Sequence, residues 1–396
     1  MKILFVTSRF PYPPLRGDQA IPYHRLRLLS KSHSITLLSF YEHESELSGL
    51  AQLQPFCEKI YTVRLPFWRS LLNVALNGAF SPLPLQVLYY RSAGFERLIN
   101  KLVSENTFDL VHTYLLRMAP YVTSGSAPKV LELIDSMQLN WMRRVESEKF
   151  PKRWFFREEL RRVVSYERGI GDRFDQLLVV SEKDRSLVPA SNIDVVPLGV
   201  DTETFKPGVT DPKANSIVFS GNMGYSPNVK AAVWFAEKCL PAIQEAVPNA
   251  TFTIIGTNPT REILALSQRK GIIVAGFVKS MPEVLASASV AVAPMLSGSG
   301  MQFKILEAMS CGLPVVTTTL GLGDIKAERG KEILVADDVE EFVEAVVKAL
   351  ASPEMASKLG GQARRFVIDR HSWESVVAKV ETIYSRVLKQ ASNAQS

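Results

Sequence analysis

Cysteine is scarce in this chain of 396 residues: Cys57, Cys239 and Cys311 are odd in number and widely spaced. Such a set builds neither a disulfide framework nor a Cys/His metal site, so reduced thiols and a cytoplasmic setting are expected. No run of about 18 apolar residues occurs, which argues against a membrane-spanning helix. Lys2 leads straight into ILFV, which reads as a first core strand rather than a secretory signal. There is no Asp-x-Asp, so the usual carboxylate pair for a metal-bound diphosphate is missing, and no H-E-x-x-H, so no metal site is expected. Two further absences narrow the class. No G-x-G-x-x-G follows the first strand, against a Rossmann dehydrogenase, and no G-x-x-x-x-G-K-[ST] occurs, against a P-loop NTPase. The formal charge of +6 is too mild to indicate nucleic acid, but suits anionic ligands or an anionic membrane surface.

What is present is alternation. Near-continuous apolar runs at 2–8, 34–40, 59–65, 110–114, 129–135 and 176–181 are separated mostly by helical patterns. That is the pattern of parallel strands covered on both faces. A stretch rich in Pro, Gly, Asp and Thr, 193–216, reads as a last short strand and a linker. The alternation then restarts at 216–221, 251–256, 272–278, 290–295, 314–319 and 332–336, and long helical patterns close the chain. The fold class expected is α/β, with two doubly wound parallel-sheet domains facing a deep cleft. Ligands of such sheets bind beyond the carboxyl ends of the strands, so the loops there are the places to search.

The stretch GSGMQFKILEAMSCGLPVV, 298–316, poses a specific problem: Glu307 lies inside an apolar helical run, where a charge is costly unless something pairs with it. Small residues leave the amides open at a helix expected to start near Met301 or Gln302, so an anion could sit at its positive end. Lys304 is one turn in and could neutralise a phosphate. Glu307 lies on the same face and could accept hydrogen bonds from two ribose hydroxyls. The plainer alternative is an i,i+3 pair between Lys304 and Glu307. The loop SGNMGYSPN, 220–228, reads either as a phosphate loop through Gly221 and Gly224 or as an ordinary strand-to-helix turn. In the front loop 8–25, Gly17 could approach a ligand, and Asp18 could cap a helix around 23–30 or take part in the site. His112 closes one strand and is either structural or catalytic. Asp135 closes another and is a better candidate, since its cap role requires a helix beginning at Ser136.

These motifs together resemble glycosyltransferase family 4, the retaining sugar transferases of GT-B fold. The resemblance runs in order through VVPLGVDTETFKP, FSGNMGYSPN, TFTIIG, VAGFV, VAVAPMLSGSGMQFKILEAMSCGLPVVTT and the closing HSW…VETIYSRVL. RFPYPPLRGD and RMAPYV resemble the bacterial subgroup associated with exopolysaccharide and exosortase loci.

The resemblance implies two Rossmann-like domains, at 1–205 and 206–371, and a helix over 372–396 that crosses back to the first. It implies a nucleotide diphosphate sugar donor, a glycan or lipid-linked hydroxyl acceptor, retention of anomeric configuration, and no cofactor. By position, Glu307 matches the ribose-binding glutamate, and Gly221 and Asn222 the start of the phosphate loop. Gly300, Met301 and Gln302 match the turn at the donor sugar and phosphates, Phe277 and Val278 the segment beside the base, and Gly17 the glycine near the diphosphate. Asp135, Lys304 and His112 are the catalytic candidates, and Asp18 joins the donor set. Three departures stand out: Ser299 replaces the first acid of the E-x7-E motif, GNMGYSPN lacks the usual Arg and Lys, and Ile134 occupies the place of a common histidine. They keep two other readings open, a non-catalytic nucleotide-sugar-binding subunit and a nucleotide-sugar epimerase. The segment 141–168 mixes Arg, Lys, Trp and Phe with glutamates, and reads as a solvated helix or as a contact with anionic lipid at the inner face of the cytoplasmic membrane.

Overall fold

The computed structural model describes residues 1–14, 16–122, 125–208, 213–297 and 301–395. Gly300 and Ser299 lie outside the described residues. The chain divides into two compact units, one of residues 1–197 with 376–396, the other of residues 198–375.

The first unit is built on seven parallel strands: β1 (Lys2–Thr7), β2 (Ser34–Tyr41), β3 (Lys59–Arg64), β4 (Leu110–Tyr114), β5 (Lys129–Ile134), β6 (Gln176–Val179) and β7 (Ile193–Val195). Their order is β3-β2-β1-β4-β5-β6-β7. The central strands are apolar throughout because helices cover both faces; Ile3, Leu4, Phe5 and Val6 of β1 are all fully buried. The core on one face gathers Leu4, Val6, Leu38, Phe40, Phe95, Val111 and Leu131.

The second unit holds β8 (Ser216–Ser220), β9 (Thr251–Ile255), β10 (Ile272–Gly276), β11 (Val290–Ala293), β12 (Val315–Thr317) and β13 (Leu334–Val335). They are parallel, in the order β10-β9-β8-β11-β12-β13. Phe219, Phe235, Phe252 and Phe342 fill its core, with the ring centres of Phe235 and Phe252 4.6 Å apart and the rings tilted. Each sheet reverses its strand order once, at β1/β4 in the first unit and at β8/β11 in the second. Crevices for ligands open at such reversals.

One helix begins earlier than expected. It spans Gly17–Leu29 although Pro22 lies inside it, and Asp18 is a first-turn residue rather than a cap. Proline lacks the N–H a helix interior needs, which is why the sequence favours a start after it. The last helix, Trp373–Gln395, lies from Val376 onward in the first unit. Among the described residues, no helix is long and apolar enough to cross a membrane.

Candidate functional site

In the second unit, two loops meet at the strand reversal. The first follows β8. Here Asn222 Oδ1 accepts from Gly224 N at 2.9 Å, and its carbonyl accepts from Asn228 Nδ2 at 3.0 Å. This closes a tight turn before the helix Ser226–Trp234. Gly221 tolerates no side chain, since a Cβ would stand 2.7 Å from Asn228 Nδ2 and 3.3 Å from Lys304 Nζ. Gly256, at the end of β9, packs against Gly221 so closely that a Cβ would fall 1.6 Å from its carbonyl oxygen.

The second loop follows β11 and leads into the helix Phe303–Ser310, whose cap position is Gln302. Among the described residues no side chain caps that helix start, and a helix start carries the positive end of the dipole. Lys304 lies in the first turn. Its ammonium donates to Asn228 Oδ1, sits 3.7 Å from Met295 Sδ, and lies 4.8 Å from the centre of the Phe219 ring. Arg364 anchors the far end of the helix through the carbonyls of Phe205, Ser310 and Thr202.

Among the described residues, Lys304 and Glu307 form no ion pair; the lysine is directed to Asn228 instead. Both groups carry the cost of desolvation. Burial pulls Lys304 down to about 8, with Glu307 opposing, and pushes Glu307 up to about 7, with Lys304 opposing. A cationic donor and a carboxylate therefore stand one turn apart on one helix, neither fully compensated. Asn228 was missed by sequence reasoning. Its signal is a buried amide one turn into a helix. Met301 is buried and Gln302 half-buried beside the helix start, while Phe277 stands exposed with Val278 at the end of edge strand β10.

The remaining candidates fall in the first unit. Gly17 opens its helix with free space where a Cβ would stand. Asp18 is held between Arg9 at 3.3 Å and Arg117 at 3.2 Å; Arg117 also donates to Ser8 Oγ and lies over the Tyr90 ring. A cavity of about 330 Å³ opens beside them at the ends of β1 and β2, lined by Ser8, Arg9, Arg16, Tyr41, Tyr89 and Tyr90 among others. Asp135 is exposed. Ile134 before it holds a left-handed backbone, φ 69°. That conformation costs a β-branched residue roughly 1–2 kcal/mol. The helix begins at Met137 with Ser136 as its cap, so capping is not the role of Asp135.

His112 is a correction. It is fully buried, stacked 4.5 Å from Phe5, with Nδ1 2.7 Å from the Tyr384 hydroxyl and Nε2 3.2 Å from Glu132. Glu132 in turn pairs with Arg25 at 2.9 Å. Burial lowers the histidine, with Glu132 opposing. Fully enclosed, it belongs to a network that ties the last helix to the sheet.

Among the described residues, no group of acids, histidines and cysteines is placed to hold a metal. Residues 214–352 match the family model of Glycosyl transferases group 1. The chain is 24% identical over 400 residues to an uncharacterized 44.6 kDa protein in the cps region of Klebsiella pneumoniae, covering 96% of this chain and 98% of that one. It is 25% identical to the Escherichia coli UDP-Gal:alpha-D-GlcNAc-diphosphoundecaprenol alpha-1,3-galactosyltransferase, over 50% of this chain and 55% of that relative's length. Among solved structures, Anabaena HepE in complex with UDP superposes with a TM-score of 0.64 at 14% identity, covering 98% of this chain and 100% of that one. The fold is that of the GT-B glycosyltransferases, and residues 214–352, in the second unit, carry the match to the group 1 glycosyltransferase model.

Proposed function

We propose that the chain transfers a sugar from a nucleotide diphosphate sugar to a hydroxyl of a glycan or lipid-linked acceptor, with retention and without cofactor or metal. The product would be an exopolysaccharide, lipopolysaccharide or glycolipid. One observation carries the reading: Lys304 and Glu307 lie one turn apart at the strand reversal of the second unit, beside Gly221, with no ion pair between them. A diphosphate at the helix start gives Lys304 its counter-charge, and a ribose one turn deeper gives Glu307 two hydroxyl donors. Amides beside Gly221 add further donors, Met301 and Gln302 line the phosphates, and Phe277 offers an exposed ring to the base.

In the transfer, the bond from C1 of the sugar to the diphosphate oxygen breaks and a bond from C1 to the acceptor oxygen forms on the same face. The acceptor proton leaves with the diphosphate. The protein's part is orientation and stabilisation of the departing charge, through Lys304 and backbone N–H groups. Asp135 positions sugar or acceptor hydroxyls. The cavity lined by Arg9, Arg16 and tyrosines suits a hydroxyl-rich acceptor.

Calorimetric titration of the wild type and Glu307→Ala with a panel of nucleotide sugars, in chelator, tests this. One donor is expected to bind, with about 10–100-fold weakening in the variant. Absence of binding by every donor, or equal binding by both proteins, would overturn it.

A further inference from the structure

The helix Phe67–Asn77 in the first unit is amphipathic the wrong way round. Two of its polar residues are turned to the protein: Ser70 is buried, and Asn73 donates to the Arg91 carbonyl at 2.8 Å, while Arg69 and Asn77 are exposed. Its apolar residues face outward. Phe67, Trp68, Leu71, Leu72 and Leu76 are exposed, Trp68 by 63%, and Phe80 just beyond is 92% exposed. Positions 68, 71, 72, 75 and 76 follow helical spacing, so the stripe is continuous along the helix. Residues 65–91 contain no Asp or Glu. An apolar stripe of this size without acids is unusual on a surface that meets only water.

A second exposed patch lies in the same unit. Phe150 is 87% and Trp154 70% exposed at the start of the helix Lys152–Arg168. Around them, the segment 149–157 carries Lys149, Lys152, Arg153 and Arg157 and no acid. The two patches are tied together. Farther along that helix, Arg162 donates to the Gly78 carbonyl at 2.6 Å, just after the first helix, and Glu159 accepts from Leu85 N at 2.7 Å.

We propose that this face docks on an anionic lipid bilayer, with the helix Phe67–Asn77 inserting its apolar side and the basic, aromatic turn at 149–157 resting on the headgroups. Charge complementarity selects this occupant. Trp and Phe settle at the headgroup boundary, while lysine and arginine gain from anionic headgroups. Of the glutamates in the longer stretch, Glu158 is spent on Arg161 and Arg162, Glu159 on Leu85 N and Glu167 on Ser136 and Gln138, while Glu146 and Glu148 precede the basic turn. The inference does not depend on the transferase reading. It would hold for any activity of the site in the second unit.

Vesicle flotation tests the proposal, with phosphatidylglycerol-containing vesicles against phosphatidylcholine vesicles. The proteins compared are the wild type, W68S/L72S/L76S and K152E/R153E. All five positions are exposed, and circular dichroism confirms that the variants fold. The wild type is expected to float with the anionic vesicles only. The apolar triple variant should lose at least about tenfold in affinity, and the charge variant should lose its preference for anionic lipid. Equal flotation of the triple variant and the wild type would overturn the insertion. So would absence of flotation by the wild type together with a dimer-to-monomer change in the triple variant by sedimentation velocity, which would assign the stripe to a second copy of the chain.

Discussion

Replacing Glu307 with glutamine should make the ligand-free protein more stable while weakening its grip on the proposed donor. Burial raises Glu307 from the ordinary 4.5 to about 7, although Lys304 opposes the rise. At about 1.4 kcal/mol per pH unit, keeping it ionised at pH 7.5 costs about 3 kcal/mol. Glutamine removes that cost but also deprives Lys304 of a nearby negative charge, so a net gain of about 2 kcal/mol is expected. In a unit of this size that raises the melting temperature by about 4–8 °C. The sign depends on pH. A carboxyl whose folded pKa is raised contributes stability fully below about 4.5 and loses it as pH rises through about 7. The advantage of Glu307→Gln should therefore be absent at pH 4.5 and complete by pH 7.5. Thermal unfolding of both proteins at the two pH values, with nucleotide-sugar titration alongside, measures it. Destabilisation at pH 7.5 would refute the reasoning, because it would mean that Glu307 already has a compensating partner in the free protein.

Donor affinity should peak between about pH 7 and 8, where Glu307 is ionised and Lys304 still protonated; titration with a nucleotide sugar, whose own charge is constant there, reads both limbs. Lys304→Met should remove the alkaline limb and weaken binding about 10–100-fold. In the first unit, Arg25 and His112 outweigh the rise that burial imposes on Glu132 and hold it at about 2. Its stabilisation is present above about pH 4.5 and lost as pH falls through about 2, so Glu132→Gln should destabilise that unit by about 3 kcal/mol at pH 7, read by urea denaturation.

The strands were legible because burial on both faces leaves an apolar run that needs no partner to be recognised. Every expected run contains a strand, usually shorter by a residue or two, as 290–295 became Val290–Ala293. Lys304 and Glu307 were legible as a pair on one helix face, but the pairing of Lys304 with Asn228 was not, because it joins loops 76 residues apart. His112 misled for a similar reason. Its partners Phe5, Glu132 and Tyr384 come from three distant elements, so a histidine in a strand carried no local sign of burial. The outward stripe of Phe67–Asn77 shows the limit of periodicity. Helical spacing of apolar residues reveals that a stripe exists but not which way it faces.

Glu132 and Glu307 make the contrast on which the proposed site rests. Both interrupt apolar runs, one in ELI and one in ILEAM, and local sequence does not separate them. The fold does. Glu132 meets an arginine and a histidine supplied by its own unit and is held at about 2, so its charge is satisfied before any ligand arrives. Among the described residues, the one charge that acts on Glu307 is a lysine committed to Asn228, and Glu307 rises to about 7. A buried carboxylate compensated by its own chain is architecture; one left uncompensated beside a helix start is a demand that only something from outside can meet. The proposed diphosphate next to Lys304 would raise that lysine's affinity for its proton, and ribose hydroxyls bonded to Glu307 would favour its ionised form. Under the proposed function, binding would draw both groups back toward full charge and recover the cost of their burial.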